Sequence, residues 1–524
     1  MSQAADSFDL SKRLCLLILC IVSFGQYAHT IGYDFVWDSK NVLLDDPSIR
    51  EMRYLPSYFT EEFDHYLPKE GGQLETLSYY RPLVKVLHLV EYNLFGENPA
   101  GYKVVSLLLS LATVLVLFLL VESITGQRSA AFIASLLYAV NPARVEAVVW
   151  VYSDSYLLVV LFGLLTLYAY HHRRPVLASI GLVLACLSQE YSVLVLPLLL
   201  LYEFFFRAGG KVKEYLRLAP FFGLFFLYLA VRHAVLSSGS IPIGSFDLLA
   251  RMNTTAVLIK RTLKISFLPD APVTIYLSED FSKFNAEVLL SYLIVLGLVL
   301  MGWLLWTQKR EYLFWYLWIF VARPLDFIVG SYGHYLMAEK GLNFVGIGLC
   351  VLMALFLVNL KLKKESLITI LAAILLFHSS LTFSRSLHWK NTLSYLEQAS
   401  EFVPDFYMLH YMRGMEYVEK QEYDSALEAF KRTVELAPEH SFSHNNIGNI
   451  YYMNKRVDDA VEAWMRAIAA DEYSPRPYYN VGMVLEAKGN VTEALQYYER
   501  FLSLSNQVPE PIMNHIHELR ANRR

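Results

Sequence analysis

The chain has 524 residues, a formal charge of −4, 55% hydrophobic residues and 18% charged ones. That balance excludes an ordinary soluble domain, which carries more charge and less apolar surface. It offers no basic face to nucleic acid either.

A bilayer is crossed by about 20 apolar residues in a helix. Runs of that kind are predicted near 14–33, 101–121, 129–145, 153–170, 174–189, 190–206, 217–236, 287–306, 311–331, 341–361 and 366–384. The expected fold class is therefore all-α, a polytopic transmembrane bundle of about eleven spans in residues 1–384. Residues 246–268 are apolar but interrupted by Arg251, Lys260, Arg261 and Lys264. They read as an interfacial helix, with a further span as the alternative. Cys15, Cys20, Cys186 and Cys350 all lie in apolar runs. They read as small buried hydrophobes, not as a disulfide framework or a metal site.

Directly after the first run comes Tyr33-Asp34-Phe35-Val36-Trp37-Asp38-Ser39. Acids flanked by aromatics at a membrane surface stay hydrated enough to ionise beside a lipid head group. The basic residues Lys12 and Arg13, Arg173 and Arg174, Arg207 to Arg217, Lys309 and Arg310, and Lys361 to Lys364 fall in alternate loops. They are expected on the cytoplasmic side. The first run is expected to be retained, since no small-residue cleavage site follows it clearly. This topology puts the long 34–100 loop outside the cytoplasm, with Glu146, Asp154, Glu190 and Glu339 at outer ends of spans. Ionisable groups at membrane depth pair or function; hydrated loop acids are the competing reading, above all for Asp154.

Within the loop, Tyr54, Leu55, Tyr58, Phe59, Phe63, Tyr66 and Leu67 recur at near-helical spacing. They predict an amphipathic helix, lying on the membrane or packed on protein. Arg81 follows in Tyr79-Tyr80-Arg81-Pro82. A guanidinium at that level suits a phosphate, and it suits one of the acids equally.

Residues 385–524 are polar, and three positions repeat. Gly414, Gly448 and Gly482 stand 34 apart, Ala426, Ala460 and Ala494 follow by 12, and Phe430, Trp464 and Tyr498 by 16. This is the tetratricopeptide pattern, an α-solenoid with repeats near 407–440, 441–474 and 475–508. Asn445, Asn446, Tyr479 and Asn480 fall on first helices of repeats, near the face that takes an extended peptide. With an odd number of spans the repeats lie outside the cytoplasm; an even number would reverse this.

The arrangement resembles the GT-C membrane glycosyltransferases that end in tetratricopeptide repeats, among them the transmembrane and tetratricopeptide O-mannosyltransferases and bacterial relatives. The similarity runs through Phe35-Val36-Trp37-Asp38, Leu94 to Tyr102, Asn141-Pro142-Ala143-Arg144-Val145-Glu146 to Val151, Met337-Ala338-Glu339-Lys340, and Arg385 with Trp389. It implies inverting transfer of a sugar from a polyprenyl-phosphate carrier to a Ser/Thr hydroxyl of a protein or another envelope acceptor. Asp38 would be the base by matching position. Arg81, Arg144 and Lys340 are phosphate-binding candidates from charge and level. Glu146, Glu190 and Glu339 complete the substrate-binding set, and the repeats would hold the acceptor. Protein cations or a divalent metal would stabilise the departing phosphate; no particular cofactor is implied. Ser39 stands where the family commonly has a second acid, Asn141 where it often has His, and Lys103 and Ser106 where it has His and Asn. A catalytically silent scaffold acting through its repeats is therefore the alternative. The expected location is a bacterial inner membrane with periplasmic repeats, or an endoplasmic reticulum membrane with lumenal ones.

Overall fold

The structure is a computed structural model that describes residues 10–44, 46–68, 74–207, 211–236, 248–268, 276–277, 285–322, 335–337, 339–360, 362–505 and 508–522. The chain divides into two compact units, Met1–Phe63 with Ser78–Thr392, and Asp64–Leu77 with Leu393–Arg524.

The first unit is a helical bundle. Among the described residues, seven helices are long and apolar enough to cross a membrane, or eight if one bent pair is a single span. The long helices used below are α1 (Lys12–Tyr27), α4 (Pro99–Thr125), α7 (Asp154–His171), α10 (Ala219–Val235), α12 (Ala286–Gln308), α14 (Leu342–Asn359) and α15 (Lys364–Leu387). Local chemistry sets their ends. Asn98 caps α4 by accepting from the Ala100 N–H, Pro99 sits in its first turn, and Gly126 stops it at φ 66°.

The bent pair is α5 (Arg128–Ala139) with the short α6 (Val145–Val149), which meet at 55°. Pro142 interrupts the ladder there, and the Asn141 side chain recaps the chain by accepting from Ala143 N. The run expected as spans 174–189 and 190–206 is broken more finely. A 14-residue helix α8 (Pro175–Ser188) leads through a turn at Glu190–Leu194 into α9 (Val195–Tyr202) and a π-helical turn, Glu203–Arg207. The run near 311–331 holds α13 (Arg310–Val321), and residues 323–330 lie outside the described residues. Residues 248–267 form α11 (Leu248–Phe267), whose Lys260 and Arg261 both reach Glu287 at the start of α12, at 2.9 and 3.3 Å.

The loop between the first two long helices differs from expectation. No helix runs from residue 54 to 67. Single turns at Met52–Tyr54 and Ser57–Phe59 are followed by strand β1 (Phe63–Pro68), which pairs with β2 (Leu74–Tyr79). Pro56 lacks the N–H that a helix through this stretch would need, so the aromatics keep near-helical spacing without the helix. Two helices do form in the loop, α2 (Asp38–Leu44) and α3 (Pro82–Phe95).

Helix α16 (Thr392–Phe402) begins on the last residue of the first unit, and the second unit continues from it into three helix pairs: α17 (Tyr407–Glu419) with α18 (Tyr423–Leu436), α19 (Ser441–Met453) with α20 (Val457–Ala470), and α21 (Pro475–Ala487) with α22 (Val491–Leu504). The recurring glycine has a direct cause. A Cβ added at Gly414, Gly448 or Gly482 would lie 2.5, 2.5 or 2.8 Å from the ring of Phe430, Trp464 or Tyr498. Each ring is buried, and so are Ala426, Ala460 and Ala494. A final helix α23 (Glu510–Asn522) covers the last pair through Ile516 and Leu519.

Candidate active site

Asp38 is the first residue of α2, on a turn shaped by its neighbours. Trp37 sits at φ 54°, a left-handed conformation that costs a bulky residue about 1–3 kcal/mol and persists only when surroundings impose it. Here the surroundings are aromatic and polar. The Trp150 indole N–H donates to the Val36 carbonyl at 3.1 Å. The two indoles of Trp37 and Trp150 stack at 5.9 Å and 22°, and Trp389 packs on Trp150 at 5.9 Å and 33°. The Trp37 N–H donates to Thr392 Oγ1, and the Asp34 N–H to the Lys390 carbonyl, both at 3.0 Å. The Asp38 side chain lies outside the described residues. Ser39, its neighbour, is fully buried, and its hydroxyl has no hydrogen-bond partner among the described residues.

Two cations are each held by a carboxylate, and one of them, Lys340, reaches the turn through Trp150. Arg81 precedes α3 and donates from Nε and Nη2 to Glu190 Oε2 at 3.0 and 2.8 Å, while its guanidinium lies 4.1 Å from the Tyr79 ring centre. Lys340 sits on a turn, Glu339–Gly341, that leads into α14. Its Nζ lies 4.3 Å from the Trp150 ring centre, 5.4 Å from that of Tyr156 and 4.0 Å from Glu146 Oε1. The Glu146 carboxylate also accepts the Lys340 N–H at 2.9 Å, fixing this turn to α6. Tyr156 links the two pairs: it faces Lys340 and packs at 5.4 Å on Tyr191, the residue after Glu190. Side chains of Arg81 and Lys340 are 13% and 17% exposed, and that of Glu190 is 28% exposed. These groups are thus partly desolvated yet reachable, as an anion-binding surface requires.

Arg144 and Glu339 are placed differently. Arg144 is 1% exposed and donates to Asn343 Oδ1, the Tyr138 carbonyl and Ser110 Oγ at 3.2, 3.0 and 2.9 Å, with its guanidinium over the Tyr138 ring. Glu339 is fully buried and paired with Arg385 Nη2 at 2.5 Å. Both side chains therefore serve the interior of the bundle. The same holds for Lys103, which donates to the Val149 carbonyl at 2.6 Å, and for Ser106, which donates to Asp154 at 2.7 Å.

On α3, His88 Nδ1 lies 2.9 Å from Glu91 Oε2. Burial pushes the His88 pKa down to about 4 and the Glu91 carboxyl up to about 9. Among the described residues, no group of three or more His, Cys, Asp or Glu side chains is arranged to hold a metal ion. An apolar cavity of about 240 Å³ lies between α11, α12, α13 and α14, lined by Leu263, Phe267, Leu298, Met301, Phe320 and Leu352 among others.

In the repeats, the Asn480 Nδ2 donates to Asn445 Oδ1 and Asn449 Oδ1 at 3.1 and 3.0 Å, joining two successive first helices. Tyr479 packs on Tyr498 and Phe501, and Asn446 Nδ2 approaches Met415 Sδ at 3.3 Å.

Trp37, Trp150, Tyr156 and Trp389 carry no role that the sequence alone reveals. Trp37, Trp389 and the Trp150–Tyr156 stretch are far apart in the chain, and no spacing signals that they meet. The available hints were the aromatic density around the acids and the place of Trp37, Trp150 and Trp389 in the stretches that carry the resemblance.

Tetratricopeptide-repeat family models match residues 411–477 and 475–508. A protein O-mannosyl-transferase of Caenorhabditis elegans is 23% identical over 424 residues, 76% of this chain and 59% of that protein. Protein O-mannosyl-transferase TMTC3 of Homo sapiens is 26% identical over 211 residues, 38% of this chain and 22% of that protein. For TMTC1 of Homo sapiens the figures are 26% over 183 residues, 34% and 19%. The chain thus spans less than two thirds of the relatives it matches. The crystal structure of yeast Tom70 is matched at 12% identity with a TM-score of 0.20 over 74% of each chain, too low to bear on the fold. The chain is therefore a multi-span, tetratricopeptide-ended relative of the protein O-mannosyl-transferases, similar to one of them along three quarters of its length.

Proposed function

We propose that the chain is a membrane glycosyltransferase that moves a sugar from a polyprenyl-phosphate carrier to a Ser/Thr hydroxyl of a protein. The observation that carries this reading is the cluster around Tyr156. Lys340 lies over Tyr156, Tyr156 packs on Tyr191, which follows the Glu190 that holds Arg81, and Trp150 joins Lys340 to the turn that ends in Asp38.

Asp38 takes the proton of the acceptor hydroxyl as its oxygen attacks the anomeric carbon. The bond to the carrier phosphate breaks with its electron pair on the phosphate oxygen, so the sugar inverts. Arg81 and Lys340 receive the charge that develops there, each aimed by its own carboxylate, Glu190 and Glu146. Arg144 and Glu339 hold the helices that carry these groups. The apolar cavity beside α14 has the lining that part of a prenyl chain would need. The repeats present the acceptor, and the basic loops favour chemistry on the non-cytoplasmic side, in a periplasm or an endoplasmic reticulum lumen.

A second reading, a silent scaffold, draws on Ser39, Lys103 and Ser106, whose surroundings are internal. Purified chain in liposomes, given labelled polyprenyl-phosphate mannose and an acceptor protein, separates the two. Labelled acceptor above the level of empty liposomes is expected; its absence with folded protein favours the scaffold.

A further inference from the structure

The stretch that ends in Asp38 has few restraints of its own. Residues Tyr33 to Val36 belong to no helix or strand, and Trp37 holds a left-handed φ of 54°. A bulky residue keeps that conformation only when groups outside the stretch over-determine it. Val36 is tied to Trp150. The other two backbone ties run to the segment after α15, from the Asp34 N–H to the Lys390 carbonyl and from the Trp37 N–H to Thr392 Oγ1. Further back the two segments already lie side by side, since His29 meets Ser386 Oγ at 2.7 Å and packs on Phe383. Of these ties, the one from the Thr392 side chain falls on the residue next to Asp38. Thr392 is also the first residue of α16, the helix through which the chain continues into the repeats.

We infer that Thr392 is a positioning residue. Its hydroxyl holds the strained Trp37 peptide and thereby sets where Asp38 stands, so that the aim of the base depends on the segment from which the repeats begin. The inference rests on the transferase reading above and adds a part outside the donor surface. Arg81 and Lys340 make none of these hydrogen bonds and are held by Glu190 and Glu146, with Lys340 touching the turn only through the Trp150 ring, so the Thr392 hydroxyl acts chiefly on the acid.

The test uses the full chain with Thr392→Val, which keeps shape and removes the oxygen, and Thr392→Ser, which keeps the oxygen. Misplacing a catalytic group by about 1 Å lowers turnover by up to about a hundredfold. Thr392→Val is therefore expected to lower kcat about tenfold to a hundredfold with the donor KM unchanged, and Thr392→Ser to restore most of it. Amide hydrogen exchange at Trp37 should quicken in Thr392→Val and not in Thr392→Ser. An unchanged kcat in Thr392→Val, or a Thr392→Ser chain as slow as Thr392→Val, overturns the inference; so does unchanged exchange at Trp37. Asp38→Asn in the same assay keeps the two claims apart. Full transfer in that variant removes Asp38 as the base, while the exchange result still decides whether Thr392 holds the turn.

Discussion

Glu339 and Arg385 offer the sharpest prediction about what holds the bundle together. Their side chains are 0% and 5% exposed and meet at 2.5 Å, tying the turn of Lys340 to the end of α15. Attraction between the two offsets the loss of hydration of both, and neither is stable there alone. Replacing Arg385 by Met takes this cation away from the buried Glu339 carboxylate. Breaking a buried pair this way costs about 3–5 kcal/mol, whereas removing both charges together is often neutral. Thermal unfolding of detergent-purified full chain should rank wild type and the double variant Glu339→Gln/Arg385→Met together, and Arg385→Met well below them. The double-variant cycle then reports the coupling directly. An Arg385→Met chain as stable as wild type, or a double variant showing the sum of two independent losses, would refute the reasoning.

Two further outcomes follow from other parts of the molecule. Gly448→Ala pushes a methyl to 2.5 Å from the Trp464 indole, a rigid ring buried in its repeat; overpacking of this kind costs about 1–3 kcal/mol. Limited proteolysis of the full chain should cut within 441–470 sooner, and unaltered cleavage would contradict the packing account. Glu91 and His88 give opposite pH dependences. The carboxyl is raised, so its contribution to stability is complete below its ordinary range and is lost as pH rises towards about 9. The imidazole is lowered, so its contribution is complete above its ordinary range and is lost as pH falls towards about 4. Between pH 7 and 9 only the first effect operates. The melting temperature should therefore fall over that window in wild type and stay flatter in Glu91→Gln; parallel profiles would count against a neutral buried Glu91.

The parts legible in the sequence were those that a local pattern records. The repeats could be read because each glycine marks a contact with a ring sixteen residues on, a relation contained within one repeat. The long helices could be read because composition alone makes them insoluble. The stretch 54–67 misled because aromatic spacing was weighed above Pro56. Arg144 and Arg81 show a different limit. Both are arginines near helix ends, and sequence placed both at phosphate level. Level along a helix says nothing about direction around it, and Arg144 turns into Tyr138, Ser110 and Asn343 while Arg81 turns to Glu190. The stack of Trp37, Trp150 and Trp389 was illegible for the same reason, because its members are separated by more than a hundred residues.

The central claim is that the acid after Trp37 performs the chemistry. Asp38→Asn keeps the size of the side chain and removes its basicity. In liposomes with labelled polyprenyl-phosphate mannose and acceptor, transfer should fall by about a hundredfold or more, with melting temperature and donor binding retained. Transfer at the wild-type rate by a folded Asp38→Asn chain would contradict the account.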